Sequence, residues 1–265
     1  MSIPRIVTTS WDDGDPQDLR IAEMLRARGL RGSFYIPIIG YDGRPTLDSQ
    51  GLRTLAAQGF EIGAHGVSHH TLPKFRAKEL TREIRICKER LEDILGDEVR
   101  MFCYPKGRYS ARVIREVAKA GYRGGRTTEM LGHDLDFDPY RMSTTLQVYP
   151  HTKTQYLKNM ARSLHFTRAL DWAAHFRRAG TWVELAKRTF NRVLREGGIW
   201  HIYGHSWEIE EFSLWTGLAD VLDYVSRQQG VLYVSNVEAL KFLPAKRKAE
   251  LNPPAYCENE SRSRP

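Results

Sequence analysis

A chain of 265 residues, 41% hydrophobic and 27% charged, can bury one sizeable core, which excludes a disordered tail or a small scaffold dependent on cross-links. None of its apolar stretches reaches the length that spans a bilayer, and its net charge of +8 comes without a groove-reading motif, so nucleic acid is not an expected partner. Three scattered cysteines, Cys87, Cys103 and Cys257, have no metal-like spacing and point to a reducing compartment. Met1-Ser2-Ile3-Pro4-Arg5 runs into the first strand without a charged and apolar leader, so a cytoplasmic protein is expected.

Strand and helix patterns alternate along the chain. Ile6-Val7-Thr8-Thr9 reads as a strand that delivers Ser10-Trp11-Asp12-Asp13-Gly14. A helix is expected to start with Asp15 as N-cap and Pro16 at its first position, to place Leu19, Ala22 and Leu25 on one face, and to end at Gly29. Gly32 to Pro37 reads as strand, Leu47 to Gln58 as a helix closed by Gly59, and Phe60-Glu61-Ile62-Gly63 as the strand before His65-Gly66-Val67-Ser68-His69. From Lys74 to Leu95 a stripe of Leu80, Ile84, Cys87, Leu91 and Ile94 predicts a long helix with Cys87 in the core. Further strands are predicted at 100–104, 122–126, 141–148, 198–203 and 231–235, and helices at 111–120, 214–229 and 237–242. Such alternation argues for an α/β domain over residues 1–243 with a mainly parallel sheet. Residues 244–265 turn polar and read as a flexible tail.

Residues 152–196 break the rhythm with two helical patterns in succession, one carrying Leu157, Met160, Ala161 and Leu164 on a face, the next Trp182, Leu185, Ala186, Phe190, Val193 and Leu194. This helical insertion holds ten basic residues (Lys153, Lys158, Arg162, Arg168, Arg177, Arg178, Lys187, Arg188, Arg192, Arg195) against three acidic ones, and so supplies most of the net charge. A solvated face is the plain reading; a surface for an anionic membrane or a phosphate-linked sugar is the sharper one, with Trp172, Phe176 and Trp182 at the boundary.

The chemistry sits at two strand ends. Alone, an Asp-Asp-Gly is most often a turn and two histidines four apart are most often solvated. Together, at the carboxyl ends of strands where α/β folds build sites, Asp13, His65 and His69 supply three oxygen and nitrogen donors for one divalent metal of the zinc type, with an open position for catalysis. Asp12 is then left beside that position, where a hydrolase needs a general base. His201 is expected to be a hydrogen-bonded core histidine, whereas His133, His151, His165 and His175 have no partner legible in the sequence.

These motifs resemble the NodB-homology polysaccharide deacetylases, carbohydrate esterase family 4, whose first motif is Thr-x-Asp-Asp-Gly and whose second is His-x-x-x-His. The resemblance spans roughly residues 5–240 and implies a distorted (β/α) barrel of about seven strands, with Asp12 as general base and Asp13, His65 and His69 as metal ligands. Phe102-Cys103-Tyr104-Pro105-Lys106-Gly107 is similar to the family's third segment, which implies an oxyanion donor at the Lys106 N–H. The family's arginine is replaced there by Cys103, so another cation must orient Asp12: Arg126 is the candidate and Arg108 the alternative. Ile199-Trp200-His201-Ile202-Tyr203-Gly204-His205 is similar to the late Leu-x-x-His element, implying Ile202 as a pocket wall and His205 as the general acid, with Glu208 placed to fix its ring.

The function implied is metal-dependent removal of an N-acyl group, acetyl first, from a sugar. The expected cytoplasmic setting favours a nucleotide- or lipid-linked precursor of a surface glycan. A sugar N-deformylase and a non-catalytic glycan-binding protein on the same fold are the alternatives. A glycosidase is disfavoured, because its two carboxyl groups stand about 5 Å or more apart across the bond and it would leave the histidines idle.

Overall fold

A computed structural model of the chain describes residues 3–163 and 179–251. Eight parallel strands form one sheet: β1 (Arg5–Asp12), β2 (Ser33–Ile36), β3 (Glu61–Ala64), β4 (Met101–Cys103), β5 (Gly124–Arg126), β6 (Leu146–Gln147), β7 (Gly198–His205) and β8 (Val231–Tyr233). Seven of them run in the order β5-β4-β3-β2-β1-β7-β6, and β8 pairs with the first residues of β1. A parallel bridge from Arg126 to Met142 leads from the β5 edge back towards the β6 segment, so the sheet curls into the barrel-like form expected of the chain.

The alternation of side chains along a strand decides what each residue does. On β7, Trp200 and Ile202 join the main core under the helices, whereas His201, Tyr203 and His205 share the opposite, inner side. His201 is buried there between Ser10 Oγ at 2.8 Å and the Ser143 carbonyl at 3.1 Å. Ile202 is therefore core and not a pocket wall; its parity on the strand turns it away from the site.

The helices pack outside the sheet: α1 (Asp18–Arg26), α2 (Ser49–Ala57), α3 (Ala77–Leu95), α4 (Ala111–Lys119), α5 (Lys153–Ser163), α6 (Trp182–Glu196), α7 (Ser206–Glu211), α8 (Trp215–Val225), α9 (Asn236–Ala239) and α10 (Ala245–Lys248). On α3 the predicted stripe is buried at Leu80, Ile84, Cys87 and Leu91, and Gly96, in the left-handed region, stops the helix. Three expectations shift. The first helix starts at Asp18 instead of Asp15, because the Asp15 carboxylate takes the Gln17 N–H and holds 15–17 in a turn. The segment before α3 winds as a short 3₁₀ turn, Leu72–Lys74. The strand predicted over 141–148 shrinks to Leu146–Gln147, since Pro139 opens a 3₁₀ turn and, across a loop, the Thr144 N–H donates to the Glu129 carbonyl and the Leu131 N–H to the Thr145 carbonyl.

The insertion is helical where it is described. On α6 the predicted face of Trp182, Leu185, Ala186, Phe190 and Val193 is buried. On α5 it is Tyr156 that is buried, while Leu157 is 45% exposed. Three of the basic residues are already neutralised: Lys187 by Asp220, Arg188 by Glu184 and Arg192 by Glu196. Trp182, at 8% exposure, is core and not a membrane boundary residue. Arg168, Arg177, Arg178, Trp172 and Phe176 lie outside the described residues. Pro244 to Leu251, read from sequence as the start of a polar tail, forms helical turns in which Lys246 and Arg247 meet Asp136; residues beyond 251 lie outside the description.

Candidate metal centre and its acid–base pair

The site lies at the carboxyl ends of β1, β3 and β7. β1 ends at Asp12, and the chain turns there through a left-handed Asp13 (φ +76°) and Gly14 (φ +65°), where a β-carbon on Gly14 would sit 3.0 Å from Ile36 Cδ1. Directly after β3, His65 leads through Gly66 (φ +79°) to a left-handed His69 (φ +53°). Glu83 of α3 holds this loop by accepting from the Val67 and Ser68 N–H groups and the Ser68 hydroxyl, at 2.8–3.0 Å. Backbone strain of this kind persists where surrounding structure fixes it, and it gathers at functional sites.

Three donor atoms converge. The His65 ring uses Nδ1 on the Cys103 carbonyl at 2.8 Å, which directs Nε2 inward. His65 Nε2 is 3.1 Å from His69 Nε2, and Asp13 Oδ1 is 3.2 Å from His69 Nε2 and 3.7 Å from His65 Nε2. Trp207 donates its indole N–H to the other carboxylate oxygen, Oδ2, at 2.9 Å. Asp13 Oδ1 is buried without a hydrogen-bond partner. Burial pushes His65 down to about 4 and His69 to about 3, so both rings are neutral with lone pairs to offer.

The set fits one divalent metal. Bonds of about 2.0–2.1 Å in a tetrahedron place ligand atoms about 3.3 Å apart, and the three separations bracket that value. Cys103, which with Asp12 and His65 forms a second close group, is a poor rival ligand because burial holds its thiol well above the usual range and so keeps it protonated.

Beside this triangle Asp12 is buried, and Arg126 Nη2 donates to its Oδ1. Burial alone would raise the Asp12 pKa, but Arg126, His65 and His205 outweigh it and hold the carboxyl below its usual value. Arg126 stands opposite Cys103 in the β4–β5 register, one strand from where the resemblance would place an arginine, with its guanidinium between the rings of Tyr35 and Tyr203. Arg108 is exposed.

His205 points Nε2 at the same centre, 3.9 Å from both Asp12 Oδ2 and Asp13 Oδ2. Its Nδ1 meets Glu208 Oε2 at 2.6 Å. Burial opposes the charged ring, yet Glu208, Asp13 and Asp12 together raise it to about 9. Gln147 braces the arrangement, donating from Nε2 to Glu208 at 2.8 Å while its oxygen accepts from the Tyr203 hydroxyl at 2.9 Å. A cavity of about 260 Å³ opens over Asp12, Asp13, the three histidines and Lys106, with Tyr41, Tyr104 and Tyr203 in its walls. Lys106 is left-handed (φ +57°), and its ammonium lies 5.5 Å over the Tyr41 ring.

The structure thus gathers Asp12, Asp13, His65, His69, Lys106 and His205 around one cavity, with Arg126 fully buried behind Asp12. It adds Trp207, Gln147, Glu83 and the buried Asp18, which accepts from Ser206 Oγ at 2.6 Å and ties α1 to the start of α7. Only Trp207, two residues after His205, had a local signal in its nearness to the late motif.

The sequence model of the polysaccharide deacetylase family matches residues 2–125. Over 126 residues the chain is 22% identical to "Putative polysaccharide deacetylase YxkH" of Bacillus subtilis (strain 168); the match covers 47% of this chain and 45% of that protein, so the chain spans about half the length of the curated relative it matches. The Xyl-CE4 domain of a multidomain xylanase from the hindgut metagenome of Trinervitermes trinervoides is similar over 90% of each chain, with a TM-score of 0.56 and 12% identity. A mutant of BA3943 from Bacillus anthracis, a CE4 family pseudoenzyme with restored enzymatic activity, is similar over 89% of this chain and 68% of that one, with a TM-score of 0.54 and 15% identity. At such identities the two solved structures establish the fold alone.

Proposed function

We propose that this chain, which belongs to the polysaccharide deacetylase family, hydrolyses an N-acetyl group from a sugar in a metal-dependent reaction. The observation that carries the reading is the buried Asp13–His65–His69 triangle flanked by the Asp12 carboxylate, paired with Arg126, and the His205 imidazole, paired with Glu208. A divalent metal held there, zinc by the chemistry of its donors, would polarise the acyl carbonyl and make water more acidic.

The chain's own residues do the rest. Asp12, kept ionised by Arg126, takes the proton of the attacking water. The Lys106 N–H, on a backbone turned at the cavity edge, donates to the developing oxyanion. His205 gives its Nε2 proton to the departing amine, while Glu208 holds the Nδ1 proton and the ring's orientation. One acid and one base whose surroundings drive their proton affinities apart is the arrangement such hydrolysis needs.

The finer reading, a phosphate- or lipid-linked precursor handled in the cytoplasm, draws support from the free, buried Cys87 and Cys103 and from exposed Lys153 and Lys158 on α5. A catalytically silent glycan-binding protein is the second reading, one structural relative being described as a CE4 family pseudoenzyme; the Arg126–Asp12 pair, which restores the cation missing at Cys103, favours the enzyme. The test is to incubate metal-loaded protein with nucleotide-linked, lipid-linked and free N-acyl sugars and to detect acetate and formate separately. Acetate release from one of them is expected. Formate alone would move the reading to a deformylase, and neither product with metal bound would favour the glycan-binding reading.

A further inference from the structure

Asp13 turns one oxygen, Oδ1, towards the two histidines, and its other oxygen is already engaged. The Trp207 indole N–H donates to Asp13 Oδ2 at 2.9 Å, while Oδ1 lies 3.2 Å from His69 Nε2 and is buried without a hydrogen bond of its own. An indole carries one N–H donor and no acceptor, so this bond fixes the rotation of the carboxylate and decides which oxygen is free.

Trp207 is itself held from several sides. It is the second residue of α7, whose first residue, Ser206, donates its hydroxyl to the buried Asp18 carboxylate at 2.6 Å. The Arg44 guanidinium covers one face of the indole at 4.1 Å, and Glu211 pairs with that arginine at 3.4 Å. The Tyr41 ring stands 6.2 Å from Trp207 and packs edge-on against the His69 ring at 4.5 Å. The loop that carries Tyr41 and Arg44 is tied at both ends to the ligand-bearing turns: the Ile39 N–H donates to the Val67 carbonyl at 2.8 Å, and the Leu47 N–H to the Gly14 carbonyl at 2.7 Å. The indole that holds Asp13 is thus braced by the same strap that packs on His69.

The consequence concerns which ion the triangle takes. Zinc is satisfied by four ligands, so one carboxylate oxygen with two imidazoles leaves one place open. Oxygen-seeking ions such as manganese take six positions, and a carboxylate free to give both oxygens helps to fill them. With Oδ2 bound to Trp207, Asp13 gives only one. We infer that Trp207 is a positioning residue that confines Asp13 to a single donor oxygen and thereby sets both the affinity of the site and its preference for zinc over manganese; the inference rests on the metal-dependent reading above.

A second tryptophan supplies the control. Trp215 donates its indole N–H to Glu210 at 2.5 Å, and the Arg20 guanidinium lies 3.9 Å over its ring. The same three groups meet there on an exposed carboxylate outside the metal triangle.

The test titrates the metal-free full chain with zinc and with manganese against a competing chelator, in the parent, in Trp207→Phe, which keeps a ring and removes the N–H, and in Trp215→Phe. Trp207→Phe should bind zinc about 10- to 100-fold more weakly, the usual effect of losing a partner that orients a ligand, and manganese within about threefold of the parent, so that the zinc-to-manganese ratio falls. Trp215→Phe should change neither affinity. The ratio decides even where Trp207→Phe melts lower without metal, because lost stability weakens both ions alike. Equal weakening for the two ions, or zinc affinity at the parent value, overturns the inference. Zinc preference lost in the variant, with no acyl product from any N-acyl sugar given to the zinc-loaded parent, sinks the deacetylase reading and leaves the role of Trp207 standing; acetate release by a parent whose metal affinities do not respond to Trp207→Phe does the reverse.

Discussion

The two ends of the barrel hold cavities of opposite kinds. At the carboxyl ends of the strands a space of about 260 Å³ is lined by buried charges bonded to one another and by three left-handed non-glycine residues, Asp13, His69 and Lys106. At the amino ends a space of about 750 Å³ is lined by Glu61, Glu98, Arg100, Arg123 and Lys241, with Arg100 and Arg123 paired to Glu98 at half-exposed to exposed positions. No left-handed non-glycine residue lines it among the described ones. Volume therefore says little about chemistry. What separates the ends is convergence: at the smaller one, polar atoms from four different segments meet inside hydrogen-bonding range after burial has fixed their protonation.

The sharpest way to break that contrast is to remove a donor. Asp13→Ala or His69→Ala should lower bound metal well below one per chain by elemental analysis and abolish turnover, whereas Glu61→Gln at the far end should leave metal content unchanged. Full metal in both site variants would remove the distinction. Next in size, Asp12→Asn should keep its metal and lose turnover by a factor on the order of 10² to 10⁴, as expected when a general base is lost; kinetics near the parent rate would transfer the base to another group.

Arg126→Ala is expected to do two things. It leaves a buried carboxylate without its cation, which costs about 3–5 kcal/mol in denaturant unfolding at neutral pH. It also raises the Asp12 pKa, so the acidic limb of the pH–rate profile moves upward. The sign follows from linkage: Asp12 titrates below its unfolded value, so its stabilisation is present above that value and fades as pH falls through the folded one. A variant as stable as the parent, with an unmoved limb, would show that Asp12 does not depend on this cation.

The smallest effect belongs to the far end. Burial raises Glu61 to about 7, partly offset by Ser33 and by N–H groups at the start of α9. A raised carboxyl stabilises the fold fully below its unfolded pKa and loses that contribution as pH rises through about 7. Glu61→Gln should flatten the fall in melting temperature between pH 5 and 8 by a few degrees; an unchanged slope would show that Glu61 does not titrate in that window.

What could be read in advance follows a physical divide. Asp12, Asp13, His65 and His69 were legible because each pair is contiguous on a strand end or a tight loop, where local sequence sets geometry. Arg126 was reachable only by elimination, since a cation one strand away from Cys103 leaves no linear pattern. Gln147 and Glu83 act across strands or from a distant helix, and no spacing announces them. Ile202 was misplaced although the information was present: His205 and Ile202 differ by an odd number along a strand, so they cannot share a face. Length misled at 141–148, where apolar and β-branched residues suggested a strand but Pro139 and the threonine hydrogen bonds form a loop.

The ladder between β1 and β7 runs in register for eight residues and ends with Asp12 opposite His205. Adjacent strands stand about 4.8 Å apart, so the proposed base and acid are mounted on neighbouring rungs of one rigid frame, and the hydrogen-bonded sheet acts as a caliper for their separation. A loop on the rim, such as 41–44, can then lengthen, shorten or change composition without opening its jaws. Whatever the rim comes to hold, the gap between the two side chains stays set by the backbone.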